Sequence, residues 1–167
     1  MKILDIINTD HSAKELLWYR AAVVEGWGHE NHIMCSSGPW VQRMRSSGTT
    51  VHVVDTPRSI RPVALLVSLW KLINLLRHER YDIVHSHGSV LGVLGRCAGL
   101  FVKVRVVHTV HGFHFHEGMS PVRQKVFELS ERALGAMSDL ILSQNQEDHR
   151  VLALWNDVKK VRLIGNG

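Results

Sequence analysis

Histidine is concentrated in one short part of this chain. Six of the twelve histidines lie between His85 and His116, in the segments 81–88 and 106–118. An imidazole can exchange a proton near neutral pH, hydrogen-bond a hydroxyl group or bind a metal ion. These two segments are therefore where we expect chemistry.

His111 is the candidate catalytic residue. The β-branched run 104–110 predicts a buried strand, and His111 follows it directly, just before Gly112. Open α/β sheets bind their ligands beyond the carboxyl ends of their strands. We therefore expect the His111 ring to face a crevice, with the amide of Gly112 accessible beside it.

A zinc site is one alternative use of the histidines. His85 and His87 are separated by one residue, as are His114 and His116, and in extended chain that spacing points both rings to one side. A zinc-dependent hydrolase would use His85, His87 and His111 as ligands. Such a site usually has a carboxylate at matched spacing, and Glu117 alone is near.

Another interpretation is that some of these rings have no chemical role. His85, His108, His114 and His116 could each be a solvated loop residue or pack against the sheet. His111 differs from them because it ends a strand immediately before a glycine.

The first turn offers a weaker phosphate-binding signal. Neither a G-x-G-x-x-G nor a Walker-type motif occurs, which disfavours a dinucleotide oxidoreductase or an ATPase. Ser12 and Glu15 have the spacing of a capping box, which predicts a helix that begins at Ser12. Free amides at Ser12 and Ala13 could then receive a diphosphate.

The chain alternates strands with helix-length segments. The predicted strands are 2–8, 31–35, 51–55, 81–85, 104–110, 140–143 and 161–164, and the helices between them include 12–26, 39–47, 120–137 and 146–155. A further helix, rich in glycine and alanine from residue 92 to 99, follows residue 88, and its lack of bulk permits close packing on the sheet. This order predicts one α/β domain: a doubly wound, mainly parallel sheet with helices on both faces.

The helix that Pro62 opens is almost entirely apolar from residue 63 to 76, apart from Ser68, Lys71 and Asn74. So wide an apolar face needs a cover, either the sheet and a neighbouring helix or a membrane surface. The run is shorter than the about 20 residues that a spanning helix needs.

Composition limits the classes of binding partner and the cellular compartment that we expect for this chain. The 167 residues carry 20 Lys and Arg against 15 Asp and Glu, a dispersed excess that suits phosphate-bearing substrates or an anionic bilayer. No basic arm or stacking platform indicates nucleic acid. Cys35 and Cys97 lack CxxC spacing and are predicted to be buried thiols, and Asp5 interrupts any amino-terminal signal peptide. We expect a cytoplasmic protein.

Four stretches together resemble the N-terminal domain of family-4 glycosyltransferases, the retaining GT-B enzymes. They are K-I-L-D-I-I-N at 2–8, Y-D-I-V-H-S-H-G at 81–88, T-V-H-G-F-H-F-H-E-G at 109–118 and L-I-G-N-G at 163–167. The resemblance covers essentially the whole chain, and the likeness is to members that build bacterial surface polysaccharides.

The resemblance implies a two-domain enzyme. Residues 1–167 would be its Rossmann-like, acceptor-side half, and a C-terminal domain absent from this chain would hold the nucleotide sugar. The implied reaction is hexosyl transfer, with retention and without a metal cofactor, to a glycan or a lipid-linked acceptor. This chain alone would fold but not turn over, and contact with the inner membrane face is an open alternative to a purely cytoplasmic location.

The resemblance also implies roles for particular residues. His111 matches a histidine that lies against the donor sugar and hydrogen-bonds one of its hydroxyls. Ser12 and Ala13 occupy the place of a Gly-Gly pair whose amides approach the donor diphosphate, and Glu15 matches the acid that follows. The other candidate donor- or acceptor-binding residues are His87, Gly88, Gly112, Phe113 and His114. A non-catalytic binding domain with the same fold is the remaining alternative.

Overall fold

A computed structural model describes residues 1–56, 62–112 and 120–165. In these residues seven strands form one sheet in the order β3-β2-β1-β4-β5-β6-β7, and every neighbouring pair is parallel. The order reverses direction between β1 and β4. A doubly wound sheet opens a crevice at such a switch point, beyond the carboxyl ends of the strands.

The strands are β1 (Lys2–Ile6), β2 (Glu30–Cys35), β3 (Val51–Val53), β4 (Ile83–His87), β5 (Arg105–Val110), β6 (Leu140–Ser143) and β7 (Val161–Leu163). The α-helices are α1 (Asp10–Leu16), α2 (Trp18–Gly26), α3 (Pro39–Ser46), α4 (Pro62–Glu79), α5 (Ser89–Val102), α6 (Pro121–Ala136) and α7 (Gln146–Trp155). The predicted parallel α/β architecture is confirmed.

Alternation along the strands builds a core on each face of the sheet. In β1, Leu4 and Ile6 pack with α4 and α5, while Ile7, just after the strand, packs with α1, α2 and α3 on the opposite face. Asp5 lies between Leu4 and Ile6 in the strand and therefore points to the same face as Ile7. A carboxylate thus sits inside one of the two hydrophobic layers.

The glycines of α5 bring that helix against the sheet, as predicted. A Cβ built on Gly99 would lie 2.2 Å from Val106 Cγ2, and one on Gly95 would lie 2.9 Å from the Cβ of Ser86. Because no larger residue fits, these glycines set the distance between α5 and strands β4 and β5.

The predicted start of the first helix was wrong. Thr9, not Ser12, is the N-cap: its hydroxyl oxygen accepts from the Ser12 amide at 3.1 Å, and α1 begins at Asp10. Ser12 is therefore the third helical residue, and the Glu15 carboxylate pairs with Lys14 instead of reaching back. The predicted single helix also divides in two at Leu17, which is buried in the core.

The fourth strand lies two residues later than predicted. Asp82 lies just before β4, where its carboxylate accepts a hydrogen bond from the Lys2 amide at 2.7 Å. The register pairs Ile3 of β1 with Ile83, the first residue of β4. His85 and His87 are consequently strand residues, and both are buried.

Part of the apolar surface of α4 is buried against the core and α5. Leu72 and Leu76 are buried in the core next to α5, as the packing alternative predicted. Ser68 is buried as well, whereas Leu66 and Trp70 are exposed. In the described part of the chain, no helix has the length and hydropathy to cross a bilayer.

Some predictions fall outside the described residues. These concern Phe113, His114, His116 and Glu117 in the histidine-rich segment, and the turn at the last two positions of the chain.

Candidate functional site

The carboxyl ends of three adjacent strands assemble the site. Strand β4 lies between β1 and β5, and its register sets Asp5 beside His85 and His87 beside Thr109. His111 follows the last residue of β5 by one position. Residues far apart in sequence therefore meet at the switch point of the sheet.

Asp5 is the centre of a buried polar cluster. Its carboxylate accepts hydrogen bonds from His85 Nδ1 at 3.0 Å, from His87 Nε2 at 3.2 Å and from Asn31 Nδ2 at 2.8 Å. Arg20, from α2, adds an ion pair to the same carboxylate. Asp5 is 1% exposed, so these contacts replace all of its hydration.

These partners determine the charge of Asp5. Burial alone would raise the pKa of the Asp5 carboxyl, but the hydrogen bonds from His85 and His87 and the Arg20 charge hold it well below its usual range. The carboxylate is therefore ionised and can only accept hydrogen bonds. The second nitrogen of His85, Nε2, lies 2.7 Å from Thr109 Oγ1, which completes the hydrogen bonding of that ring.

His111 lies at the surface end of the cluster. Its Nε2 is 3.0 Å from His87 Nδ1 and its Nδ1 is 2.9 Å from Gln144 Oε1. The residue is exposed, whereas His87 beneath it is 4% exposed. Burial of part of the ring, together with His87, lowers the pKa of His111. His111 is therefore a member of the cluster that a ligand can touch.

An open groove of about 270 Å³ lies beside His111. Its lining includes Phe127 and Glu131 of α6, together with residues from the end of β4, the start of α5 and the end of β5: Gly88, Ser89, His108, Thr109, Val110, His111 and Gly112. Arg96, which is 1% exposed, lies behind Glu131 and approaches its carboxylate to 3.5 Å. Aromatic, carboxylate, hydroxyl and imidazole groups around one cavity suit a ligand rich in hydroxyls.

The structure brings together only part of the predicted site. Gly88, Gly112 and His111 line the groove, and His87 lies beneath it. The amides of Ser12 and Ala13 are already bonded, to the hydroxyl and the carbonyl oxygen of Thr9. They are not free donors, contrary to what the capping-box interpretation predicted.

The ligand set predicted for zinc does not converge on one point. Among the described residues, His85 and His87 converge with Asp5, and their ligand atoms lie within 4.8 Å of one another. His111 contacts the opposite nitrogen of His87. Both nitrogens of His85 and of His87 already have hydrogen-bond partners, so this is a hydrogen-bonded cluster, and the zinc-hydrolase hypothesis gains no support from it.

Sequence reasoning did not identify several members of the site. Of these residues, Asp5 had the clearest signal in the sequence, because a carboxylate inside the apolar run K-I-L-D-I-I is unusual in a buried strand. Arg96 interrupts an otherwise apolar helix in the same way. Arg20, Asn31 and Gln144 carry no comparable local signal.

Comparisons with known proteins agree with this fold. The family model described as glycosyl transferase 4-like domain matches residues 17–167. A galactosyltransferase of Escherichia coli, named UDP-Gal:alpha-D-GlcNAc-diphosphoundecaprenol alpha-1,3-galactosyltransferase, is 34% identical over 140 residues, which are 82% of this chain and 36% of that enzyme. The chain thus spans about a third of that curated relative.

Solved structures share the fold at low sequence identity. A glycosyltransferase from Rickettsia africae superposes with a TM-score of 0.75 at 15% identity, over 99% of this chain and 43% of that one. HepE of Anabaena, in complex with UDP and glucose, gives a TM-score of 0.70 at 15% identity, over 100% of this chain and 45% of that one.

Proposed function

The chain belongs to the glycosyl transferase 4-like domain family, and from this premise we propose that it is the acceptor-side half of a retaining glycosyltransferase. The enzyme transfers a hexosyl unit from a nucleotide sugar to a glycan or a lipid-linked acceptor in the synthesis of a cell-surface polysaccharide. The relative from Escherichia coli, whose name specifies a UDP-sugar donor and a diphosphoundecaprenol acceptor, supports this choice of substrates.

The observation that carries the proposal is the position of His111. It is the exposed end of a buried polar cluster, it follows β5, the neighbour of the switch-point strand β4, and it borders the groove. In the reaction, the bond from the anomeric carbon to the diphosphate breaks and a bond to the acceptor hydroxyl oxygen forms on the same face of the sugar. The acceptor hydroxyl gives its proton to the departing diphosphate as that bond forms. His111 holds the reacting sugar by a hydrogen bond to one of its hydroxyls.

A second Rossmann-like domain completes the proposed enzyme. The amides of Ser12 and Ala13 are occupied, so these two residues do not neutralise the leaving diphosphate. The second domain supplies that charge through amides, helix ends and basic side chains, without a metal cofactor. Full activity in excess EDTA is the expected result, and loss of activity that Mg²⁺ or Zn²⁺ restores would contradict this part of the proposal.

His111→Ala tests the proposal in a polypeptide that carries both domains. We expect transfer of labelled sugar to an acceptor diphosphate lipid to fall by about a hundredfold or more, the range for one oriented group in an active site. His78→Ala is the matched control, because its side chain is 87% exposed and it lies at the end of α4, away from the groove. Near-normal turnover by His111→Ala would remove His111 from the mechanism.

We further propose that the enzyme contacts the cytoplasmic membrane surface through α4 and α5. Leu66 and Trp70 are 65% and 63% exposed, and Phe101 at the end of α5 is 62% exposed. Between the two helices lies an apolar groove of about 520 Å³. Lys71 and Arg77 on α4 add positive charge next to this surface, which suits anionic headgroups.

Vesicle sedimentation tests the membrane contact. We expect the chain to sediment with phosphatidylglycerol vesicles and much less with phosphatidylcholine vesicles, because both apolar insertion and charge contribute. The double variant Leu66→Ser/Trp70→Ser should lose binding, while Tyr19→Ser, which alters an even more exposed aromatic residue on α2, should retain it. Equal sedimentation of both variants would contradict this surface assignment.

A further inference from the structure

A continuous line of hydrogen bonds joins a buried carboxylate to the rim of the groove. Asp5 Oδ1 lies 3.2 Å from His87 Nε2, and His87 Nδ1 lies 3.0 Å from His111 Nε2. Asp5 and His87 are 1% and 4% exposed. Both nitrogens of His87 therefore face protein groups, and among the described residues His87 is not part of the groove lining, whereas His111 is.

The partners determine which nitrogen of each ring carries a proton. The Asp5 carboxylate accepts only, so the hydrogen of His87 must be on Nε2. Burial and the neighbouring His85 lower the pKa of His87 to about 4, so its Nδ1 is an unprotonated acceptor at neutral pH. His111 must then donate through Nε2–H, and, since its own pKa is lowered, its Nδ1 remains a lone pair.

The surrounding charges favour the neutral rings. Arg20 neutralises Asp5 on the α2 side, and Arg96 lies on the α5 side, near His108. Arg20 therefore disfavours a proton on His87, and Arg96 disfavours one on His108. The structure places Gln144 Oε1 at 2.9 Å from His111 Nδ1. Two acceptors cannot hydrogen-bond each other, so a lone pair on Nδ1 requires the Gln144 amide to be turned over, with its NH₂ group at this contact.

We propose that His87 is a positioning residue that, with Asp5, fixes His111 as the Nε2–H tautomer and leaves its Nδ1 to accept a hydrogen bond from a hydroxyl of the bound sugar. Gln144 donates to this nitrogen until a sugar hydroxyl replaces it. The position consequently selects a hydroxyl and disfavours a group that only accepts, such as a carbonyl, an ether or a fluorine. The ligand part of this inference rests on the proposed function, whereas the proton arrangement does not.

Nuclear magnetic resonance of the ¹⁵N-labelled chain tests the arrangement without any reaction. At pH 7 we expect a pyrrole-type Nε2 and a pyridine-type Nδ1 in both His87 and His111. An observable His111 Nε2–H proton should show a scalar coupling across the hydrogen bond to His87 Nδ1. A doubly protonated His111, an Nδ1–H tautomer of it, or the absence of the coupling would each overturn the proposal.

Variants of His87 separate positioning from simple packing. In His87→Leu the His111 proton should exchange with water and disappear, whereas His87→Gln, which can donate to Asp5 and accept from His111, should keep it. The two-domain enzyme should lose about fivefold in kcat/KM in His87→Leu, the value of one net hydrogen bond, and recover most of it in His87→Gln. Equal losses in the two variants would overturn the positioning role.

The proton arrangement can still be tested if a variant does not fold or if the proposed function fails. If His87→Leu does not fold, as judged by circular dichroism, the wild-type spectrum alone decides the proton arrangement. If the spectrum is as expected but His111→Ala retains activity, the proposed function fails and the arrangement stands.

Donor analogues test the selectivity for a hydroxyl. When fluorine replaces the hydroxyl that His111 binds, the analogue should be a poor substrate, whereas fluorine at the other positions of the sugar should have less effect. Full activity of every such analogue would overturn the selectivity.

Discussion

At the scale of single residues, one threonine shows how local geometry can override a motif. Ser12 and Glu15 fit a capping box, but Thr9, three residues before Ser12, can also serve as the N-cap and would start the helix earlier. Both hydroxyls are suitable caps. Thr9 caps because the buried Asp10 must belong to the helix, where its carboxylate accepts from the Trp40 amide at 2.9 Å.

Thr9→Val should destabilise the chain by about 1 kcal/mol, because it removes the oxygen that satisfies the Ser12 amide while it preserves side-chain volume. Urea denaturation measures this difference. Glu15→Ala is the informative control: the exposed Glu15 pairs with Lys14, so little change is expected. A larger loss in Glu15→Ala than in Thr9→Val would favour the capping box.

At the scale of elements, the site depends on how closely α5 approaches the sheet. The helix follows directly from β4, and Gly88 precedes it with a φ of 77°, a conformation that glycine adopts without strain. Gly92, Gly95 and Gly99 then face β4 and β5, at distances that exclude any side chain. This contact holds the ends of the two strands, and with them His87 and His111, in one arrangement.

Gly99→Val should destabilise the chain by about 3 kcal/mol, at the upper end of the cost of overpacking, because its Cβ would lie 2.2 Å from Val106 Cγ2. Gly26→Val is the matched control, since a Cβ at that helical glycine would meet no atom within 4 Å. The control should stay within about 0.5 kcal/mol of the wild type. Equal unfolding midpoints for the two variants would contradict the close packing of α5.

At the scale of the whole molecule, the buried histidines couple stability to pH. Burial lowers the pKa values of His87 and His108, and also those of His32 and His52, which lie with Tyr81 in a second buried polar cluster. In the unfolded chain each ring would have its ordinary pKa of 6.5. The unfolded state therefore binds more protons below that pH.

The sign of the pH effect follows from this difference. The stability that depends on neutral His87 is complete above pH 6.5 and is lost as the pH falls from 6.5 to about 4. At pH 5 the loss from His87 alone is about 2 kcal/mol, since each pKa unit is worth about 1.4 kcal/mol. Urea midpoints at pH 7.5 and pH 5 should show a clear decrease, and His87→Gln should reduce it. Equal midpoints at the two pH values would contradict the buried neutral histidines.

The sequence by itself determined the elements and the fold class. Strands such as β6 and helices such as α7 were predicted at their observed bounds, because apolar periodicity, caps and turns act over a few neighbouring residues. The position of His111 at the carboxyl end of β5 also followed from local pattern, since a buried run ends there before a glycine. Its role in catalysis stays a prediction.

Only the tertiary structure decided which polar groups meet. Asp5 and His87 are 82 residues apart and come together because β1 pairs with β4 in one particular register. The predicted strand 81–85 placed His87 in the following turn, and the register that extends β4 to His87 buries that ring instead. Local patterns fix where a strand forms, but long-range pairing fixes its ends and its neighbours, and the protonation of His111 depends on those neighbours.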